Sequence, residues 1–389
     1  MNTNFTFYNP TKLYFGKNAI DGLDKELAKF GKNVLLVHGF GAIKKNGVYD
    51  AVVKKLEANG KKVFDDSGVM PNPTIEKMYG GIELVKKHKI DLILAVGGGS
   101  VVDYAKAMAA LAFEDGDLWQ RFFVNGEPVK AKNIPLAVVL TMVGTGSEMN
   151  GGSVISNIPK KQKMAYMFDT DRFPKFSILN PEYTFSVPQY QMVAGIFDIF
   201  SHILEQYLSF GGELCTSDYL AEGLMRSLMD ASLVAVKNPT DYSARANIMW
   251  TSTWALNTLL SKGKNGDWNV HQIAHGVAAN TDATHGMALA SVSLAYYNHI
   301  LDAGLGQFKK LAVNVFKVET KNKTDKEVAL DGLHELEKFM KAIGVVMNIS
   351  DLGFKKEMMK DALKATHLNS GGFKKVSLDD VRCILEKSM

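Results

Sequence analysis

Cysteine is nearly absent from this chain: Cys215 and Cys383 are its two thiols in 389 residues. Both fall in helix-like stretches, so a disulfide framework is excluded and a reducing, cytoplasmic compartment is expected. No apolar run reaches the roughly 20 residues that span a bilayer. The opening MNTNFTFYNP has neither the basic nor the apolar region of a signal peptide. Charge of one sign is also missing. The net charge is +4, and basic residues are interleaved with acidic ones, as in Glu57-Ala58-Asn59-Gly60-Lys61-Lys62. That removes the electrostatic footprint of a nucleic-acid binder. Low-complexity tracts and internal repeats are lacking too. What remains is an ordinary globular composition, 46% hydrophobic and 22% charged, in a chain long enough for two domains.

Up to about Leu179, short β-rich runs alternate with amphipathic stretches. The expected strands are Asn33–Val37, Lys61–Phe64, Asp91–Val96, Ile134–Leu140 and Phe176–Leu179. The first, third and fourth are almost continuously apolar, as strands of a parallel sheet covered on both faces must be. Val48–Ala58 and Ile75–His88 carry apolar positions at helical spacing, the second preceded by a capping Thr74. Gly151–Asp169 reads as a β-hairpin. After Asn180-Pro181 the pattern turns helical: Pro188–Leu208, Cys215–Val236, Tyr242–Leu260, Val270–Ala279, Gly286–His299, Gln307–Val315, Lys326–Ile343 and Lys355–Ala365. The expected architecture is therefore a doubly wound, mostly parallel, Rossmann-like α/β domain over residues 1–183 and an all-α domain over 184–389. A cleft between two such domains is a common place for a small-molecule site.

Three glycine-rich turns follow expected strands: Gly39-Phe40-Gly41-Ala42, Gly97-Gly98-Gly99-Ser100 and Val143-Gly144-Thr145-Gly146-Ser147. Glycine lets the backbone approach an anion, and a helix N-terminus presents free N–H donors. One such turn is weak evidence for phosphate binding. Three along one sheet edge lie where ligands of open α/β folds sit.

The helical half carries donors of a different kind. Asp198 and His202 lie four apart, so one helical face presents a carboxylate and an imidazole together. His271 and His275 repeat that step, and His285 follows before a glycine. A carboxylate on the apolar face of Val193, Ile196, Ile199 and Leu204 is costly unless it is paired or coordinating. Glu205 shares that face, so structural ion pairing competes with metal ligation. Spacing does not decide whether His275 or His285 completes a set with His271. His38, His88, His299, His334 and His367 have no partner donor at ligand spacing and read as ordinary surface or core residues.

These segments, GGGSVVDYAK, TMVGTGSEMN, FDIFSHILEQY and the H-x3-H-x9-H-G arrangement, together resemble the iron-containing (group III) alcohol dehydrogenases. KKNGVYD, ILNPEYTFSVP and RANIMWTSTWALN extend the likeness over nearly the whole chain, towards the butanol dehydrogenase and aldehyde reductase branch. The resemblance implies a divalent metal, Fe²⁺ or Zn²⁺, held by Asp198, His202, His271 and His285. It implies that His275 is not a ligand but lies beside nicotinamide and substrate as a proton relay. It also implies that Gly98, Gly99 and Ser100 hold the pyrophosphate, with Asp103, Thr141, Thr145, Ser147 and Lys163 along the rest of the groove. The activity implied is reversible hydride transfer between a primary alcohol and a nicotinamide, in a homodimer or larger homo-oligomer.

Two departures from the family pattern stand out. The loop His38-Gly39-Phe40-Gly41-Ala42 has no carboxylate to hold ribose hydroxyls, while Lys44 and Lys45 follow closely, so NADP is expected ahead of NAD. Val143 replaces a smaller residue before GTGSE. Two other readings compete: a metal- and NAD-dependent lyase resembling dehydroquinate synthase, and a catalytically idle dinucleotide-binding protein. Trp250 and Trp254 in the apolar run Ile248–Leu260 point to a greasy alcohol rather than to the lyase's phosphorylated acid, unless both are core.

Overall fold

The computed structural model describes residues 4–210 and 216–389. Cys215, expected at the head of a helix, lies outside the described residues. Two compact units are present: Tyr8–Val187, and Pro188–Met389 together with the N-terminal residues up to Phe7.

In the first unit, β1 (Lys12–Phe15), β2 (Asn33–His38), β3 (Lys62–Asp66), β4 (Leu92–Gly97), β5 (Leu136–Leu140) and β8 (Phe176–Leu179) form one six-stranded sheet. The order is β1-β8-β5-β4-β2-β3, and every neighbouring pair is parallel. The hairpin β6 (Gly152–Asn157) and β7 (Gln162–Met167) stands apart as an antiparallel pair. The helices are α1 (Gly22–Leu27), α2 (Ala42–Lys45), α3 (Val48–Ala58), α4 (Ile75–His88) and α5 (Gly99–Leu111).

Strand alternation explains the two layers. Val34 and Leu36, Leu92, Leu94 and Val96, Ala137 and Val139 join Leu23 and Leu27 of α1 and Val48, Val52 and Leu56 of α3 in one buried cluster. The intervening Leu35, Val37, Ile93, Ala95 and Val138 are equally buried; they point to the opposite face, and α5 packs on β2, β4 and β5. From β2 the chain moves outward to β3, then returns to the other side of β2 to form β4, β5 and β8. The strand order therefore reverses between β2 and β4, the place where open α/β sheets leave a crevice.

The second unit is helical: α6 (Gln189–Tyr207), α7 (Thr216–Lys237), α8 (Tyr242–Ala255), α9 (Asn269–Thr281), α10 (His285–Ile300), α11 (Leu305–Lys310), α12 (Asp325–Ile343), α13 (Met359–Ala365) and α14 (Leu378–Lys387). Helix α6 packs against α7, α8, α9 and α10. Helix α8 stops at Ala255 rather than Leu260: the buried Asn257 accepts a bond from the Leu259 N–H, and Thr258 turns to φ +76°. No helix among the described residues is long and apolar enough to cross a membrane.

Candidate active site

Helix α6 is buried from Met192 to Tyr207 and presents Asp198 and His202 one turn apart, as their spacing predicts. Helix α9 brings His271, and the first residue of α10 is His285. Asp198 Oδ1 lies 3.5 Å from His202 Nε2, 3.7 Å from His271 Nε2 and 3.6 Å from His285 Nε2. Four donors at about 2.0–2.2 Å from a tetrahedral ion stand about 3.3–3.6 Å apart, so these separations fit a small divalent cation. Asp198, His202 and His271 are buried, with donor atoms all within 4.8 Å of one another. His285 is nearer the surface.

The site's electrostatics point the same way. Burial alone would push the His271 imidazole down, but Glu205, and then Asp198, outweigh it and hold it at about 9. The proton that Glu205 and Asp198 hold on the His271 ring is the one a cation would displace on binding there. Glu205 is fully buried and was anticipated only as a possible ion-pair partner. Its carboxylate takes the His271 Nδ1 and the Val270 N–H, and its main-chain carbonyl takes the Asp267 N–H.

His275 is buried, its ring 5.3 Å from that of His285 and 6.4 Å from that of His271. The aromatic residue flanking the histidines is Trp268, 5.4 Å from the His271 ring and 6.1 Å from the His202 ring. It caps α9 in the left-handed region at φ +60°, a backbone state no sequence pattern announced. Trp250 and Trp254 pack edge to face on α8, with Trp250 well exposed.

Behind the donors, Asp267 accepts 2.7 Å bonds from Tyr296 Oη on both oxygens and from Asn269 Nδ2. Burial, with Glu205 nearby, pushes its carboxyl up to about 7 despite those bonds. Because the folded value exceeds the unfolded one of about 3.9, Asp267 favours the folded state at low pH. That contribution disappears as pH rises through about 7. Urea unfolding of metal-free protein should therefore show a stability loss between about pH 4 and about pH 7 that Asp267→Asn lacks. Parallel profiles for the two proteins would refute this role.

The glycine-rich turns lie in the first unit, at the C-terminal ends of β2, β4 and β5. Gly98 caps α5 in an extended conformation, and Gly99 is its first residue. A Cβ on Gly98 would meet Met142 at 2.9 Å, and one on Gly99 would meet Thr145 at 2.5 Å. The two loops thus touch where an added methyl would force the Met142 or Thr145 side chain aside. Gly99→Ala should push them apart and raise the dinucleotide KM about tenfold, the worth of one lost hydrogen bond. Metal content, measured alongside, should not change.

Ser100 sits in the first turn of α5, and Thr141 closes β5 with its N–H on the Gly97 carbonyl. Thr145 Oγ1 accepts from the Ser147 N–H. Asp103 and Ser147 are buried and turned inward: the Ser147 hydroxyl donates to Asp103 Oδ1 at 2.6 Å. Burial raises the Asp103 carboxyl and pushes the neighbouring Lys106 down to about 8. Lys106, unremarked in the sequence, donates to Ser147, Asn150 and Gly152, fastening the third glycine-rich turn to α5. Lys163, on the hairpin, reaches Asn72 Oδ1 at 2.7 Å.

Around Gly39, Phe40 and Gly41 the structure adds something the sequence hid. Phe40 is 76% exposed, and Gly41 adopts φ +131°. The loop itself has no carboxylate, but strand pairing sets Asp65 of β3 beside the end of β2. Its Oδ1 lies 3.1 Å from His38 Nε2 and accepts from Tyr49 Oη at 3.2 Å. Lys44, expected to help a phosphate, lies over the Tyr49 ring.

Residues 10–181 match the family model for iron-containing alcohol dehydrogenase, and residues 192–389 match the C-terminal model of the Fe-containing alcohol dehydrogenase family. A probable NADH-dependent butanol dehydrogenase of Bacillus subtilis is 40% identical, over 99% of this chain and 100% of its own length. The NADPH-dependent aldehyde reductase YqhD of Escherichia coli is 35% identical, over 90% of this chain and 89% of its own. The crystal structure of NADH-dependent butanol dehydrogenase A from Thermotoga maritima is similar at a TM-score of 0.93 and 36% identity, covering 98% of each chain. With both halves matched in order and along nearly the full length, the chain belongs to the iron-containing alcohol dehydrogenase family.

Proposed function

We propose that this protein is a metal-dependent oxidoreductase that moves a hydride reversibly between a primary alcohol of about butanol size and a nicotinamide dinucleotide. The observation that carries the reading is the set of contacts of 3.5, 3.6 and 3.7 Å from Asp198 Oδ1 to three imidazole nitrogens. Asp198, His202, His271 and His285 would hold the ion, and three imidazoles with one carboxylate suit Fe²⁺ or Zn²⁺. When bound, such an ion supplies Lewis acidity that polarises a substrate oxygen. His275, beside His285, exchanges the hydroxyl proton with solvent. Trp268 shields the rings of His202 and His271 on one side. The turn Gly98-Gly99-Ser100 offers the N-terminal N–H groups of α5 to the pyrophosphate, and Thr141 and Thr145 border it.

Asp65 alters the expected cofactor preference. A carboxylate beside the β2 loop repels a 2′-phosphate, so NADH is the proposed partner, in line with the butanol dehydrogenase names among the relatives. The lyase and idle-protein readings fall away, since the four donors are present in one place and the family is one of dehydrogenases. The reading includes a cytoplasmic location and a homodimer or larger assembly. It draws on the free, exposed Cys383, on the exposed Phe15 of edge strand β1 and on the exposed Tyr8 ahead of that strand.

The test is cofactor absorbance on adding butyraldehyde with NADH or NADPH, and butanol with the oxidised forms, to iron- or zinc-loaded protein. Turnover in both directions supports the reading; no change with either cofactor defeats it. A preference for NADPH would remove Asp65 from the argument.

A further inference from the structure

Among the buried groups not needed to hold an ion directly, Glu205 has the most informative surroundings. It sits on α6, less than one turn beyond His202, yet its carboxylate oxygens and main-chain carbonyl reach across to the start of α9. One carboxylate oxygen takes the His271 Nδ1, the other takes the Val270 N–H at 2.9 Å, and the backbone carbonyl takes the Asp267 N–H at 3.1 Å. Three acceptor atoms of one residue thus grip positions 267, 270 and 271.

The consequence for His271 follows from hydrogen-bond chemistry. A carboxylate can only accept, so the proton must lie on Nδ1, and the lone pair of the neutral ring is then on Nε2. That Nε2 is the atom 3.7 Å from Asp198 Oδ1, and it is buried with no hydrogen-bond partner. We propose that Glu205 is the positioning residue that makes His271 a metal ligand, by setting its tautomer and holding its ring towards Asp198. The inference rests on the metal site proposed above. It adds a residue on the ligand-bearing helix whose service is to a ligand on another helix.

The isosteric change Glu205→Gln exposes the role, because an amide has one oxygen where the carboxylate has two. If that oxygen accepts from the Val270 N–H, the NH₂ faces His271 Nδ1 and drives the ring proton to Nε2, the atom that should bind the ion. If the amide turns over, its NH₂ opposes the Val270 N–H instead. The first arrangement keeps both bonds but with the wrong tautomer, and the second loses the bond to Val270.

The experiment titrates metal-free protein with Co²⁺, following the visible ligand-field band, with NADH binding measured by fluorescence as the control. Glu205→Gln should weaken Co²⁺ binding about 10- to 100-fold, the usual effect of losing a ligand's supporting partner, and leave NADH binding unchanged. Co²⁺ affinity within about threefold of wild type would overturn the assignment to Glu205 while leaving the metal site intact. Wild-type protein that takes up no Co²⁺ would overturn the metal site itself. A second measurement does not depend on how the variant folds. In ¹⁵N-histidine NMR of zinc-loaded wild type, His271 should keep its proton on Nδ1 and bind through Nε2; the reverse pattern would refute the proposal.

Discussion

His271→Ala should yield a protein that still binds NADH but no longer oxidises butanol. The change deletes one of the imidazoles facing Asp198 and leaves one oxygen of the buried Glu205 without its imidazole partner. A Lewis acid contributes several kcal/mol to the stabilisation of a charged oxygen, so its loss should lower kcat/KM about a thousandfold or more. Metal analysis after desalting should show the ion gone. The glycine-rich turns belong to the other compact unit, so dinucleotide affinity should stay near wild type. Were turnover and NADH affinity to fall together, His271 would be a structural residue and the metal assignment would lose its main support.

Gly286→Ala should be among the most damaging single-methyl additions in the helical unit. A Cβ there would stand 1.9 Å from the Ala194 carbonyl oxygen and 2.6 Å from its carbon. Both obstacles are α6 backbone, so no side chain can swing aside. Helix α10 would have to withdraw from α6, taking the adjacent His285 with it. Overpacking of this kind costs about 3 kcal/mol, which urea unfolding measures directly. Metal content should fall in the same preparation, because His285 Nε2 would leave its place 3.6 Å from Asp198 Oδ1. Gly223→Ala on α7 is the control: nothing lies within 4 Å of its added Cβ, so gained helix propensity should leave the protein as stable or slightly more so. Similar unfolding curves for the two variants would mean that α6 and α10 are less tightly locked than their contact indicates.

Much of this was legible in the sequence where the signal is periodic and local. Helices α3 and α4 have the limits their apolar spacing and the Thr74 cap predict. The buried strands β2, β4 and β5 stand out because both faces must be apolar. Strand β1 escaped notice: it is four residues long, half exposed, and exists because β8, more than 160 residues later, pairs with it. Helix α14 shows in the sequence only as a helix-like stretch around Cys383 without limits, its mean hydropathy being low, although its Ser377–Asp380 capping box was readable.

The site divides in the same way. Asp198 and His202 share a helix face, so spacing alone brings them together. Glu205 shows its role only once a residue 66 positions away folds against it. Asp65 supplies a carboxylate that is invisible from the β2 loop, because strand pairing rather than sequence proximity makes the two neighbours. Trp268 depends on a left-handed turn that nothing in its local sequence requires.

Helix α6 also sets where this chain can tolerate a change in length. Each residue of a helix turns the next by about 100°, so one amino acid inserted between Asp198 and Glu205 would swing the later donors a quarter-turn or more out of line. The same insertion ahead of Gln189 or beyond Tyr207 falls outside the helix and leaves the internal spacing alone. Related sequences are therefore free to gain or lose residues at either end of this segment, while the stretch from Asp198 to Glu205 is closed to insertion.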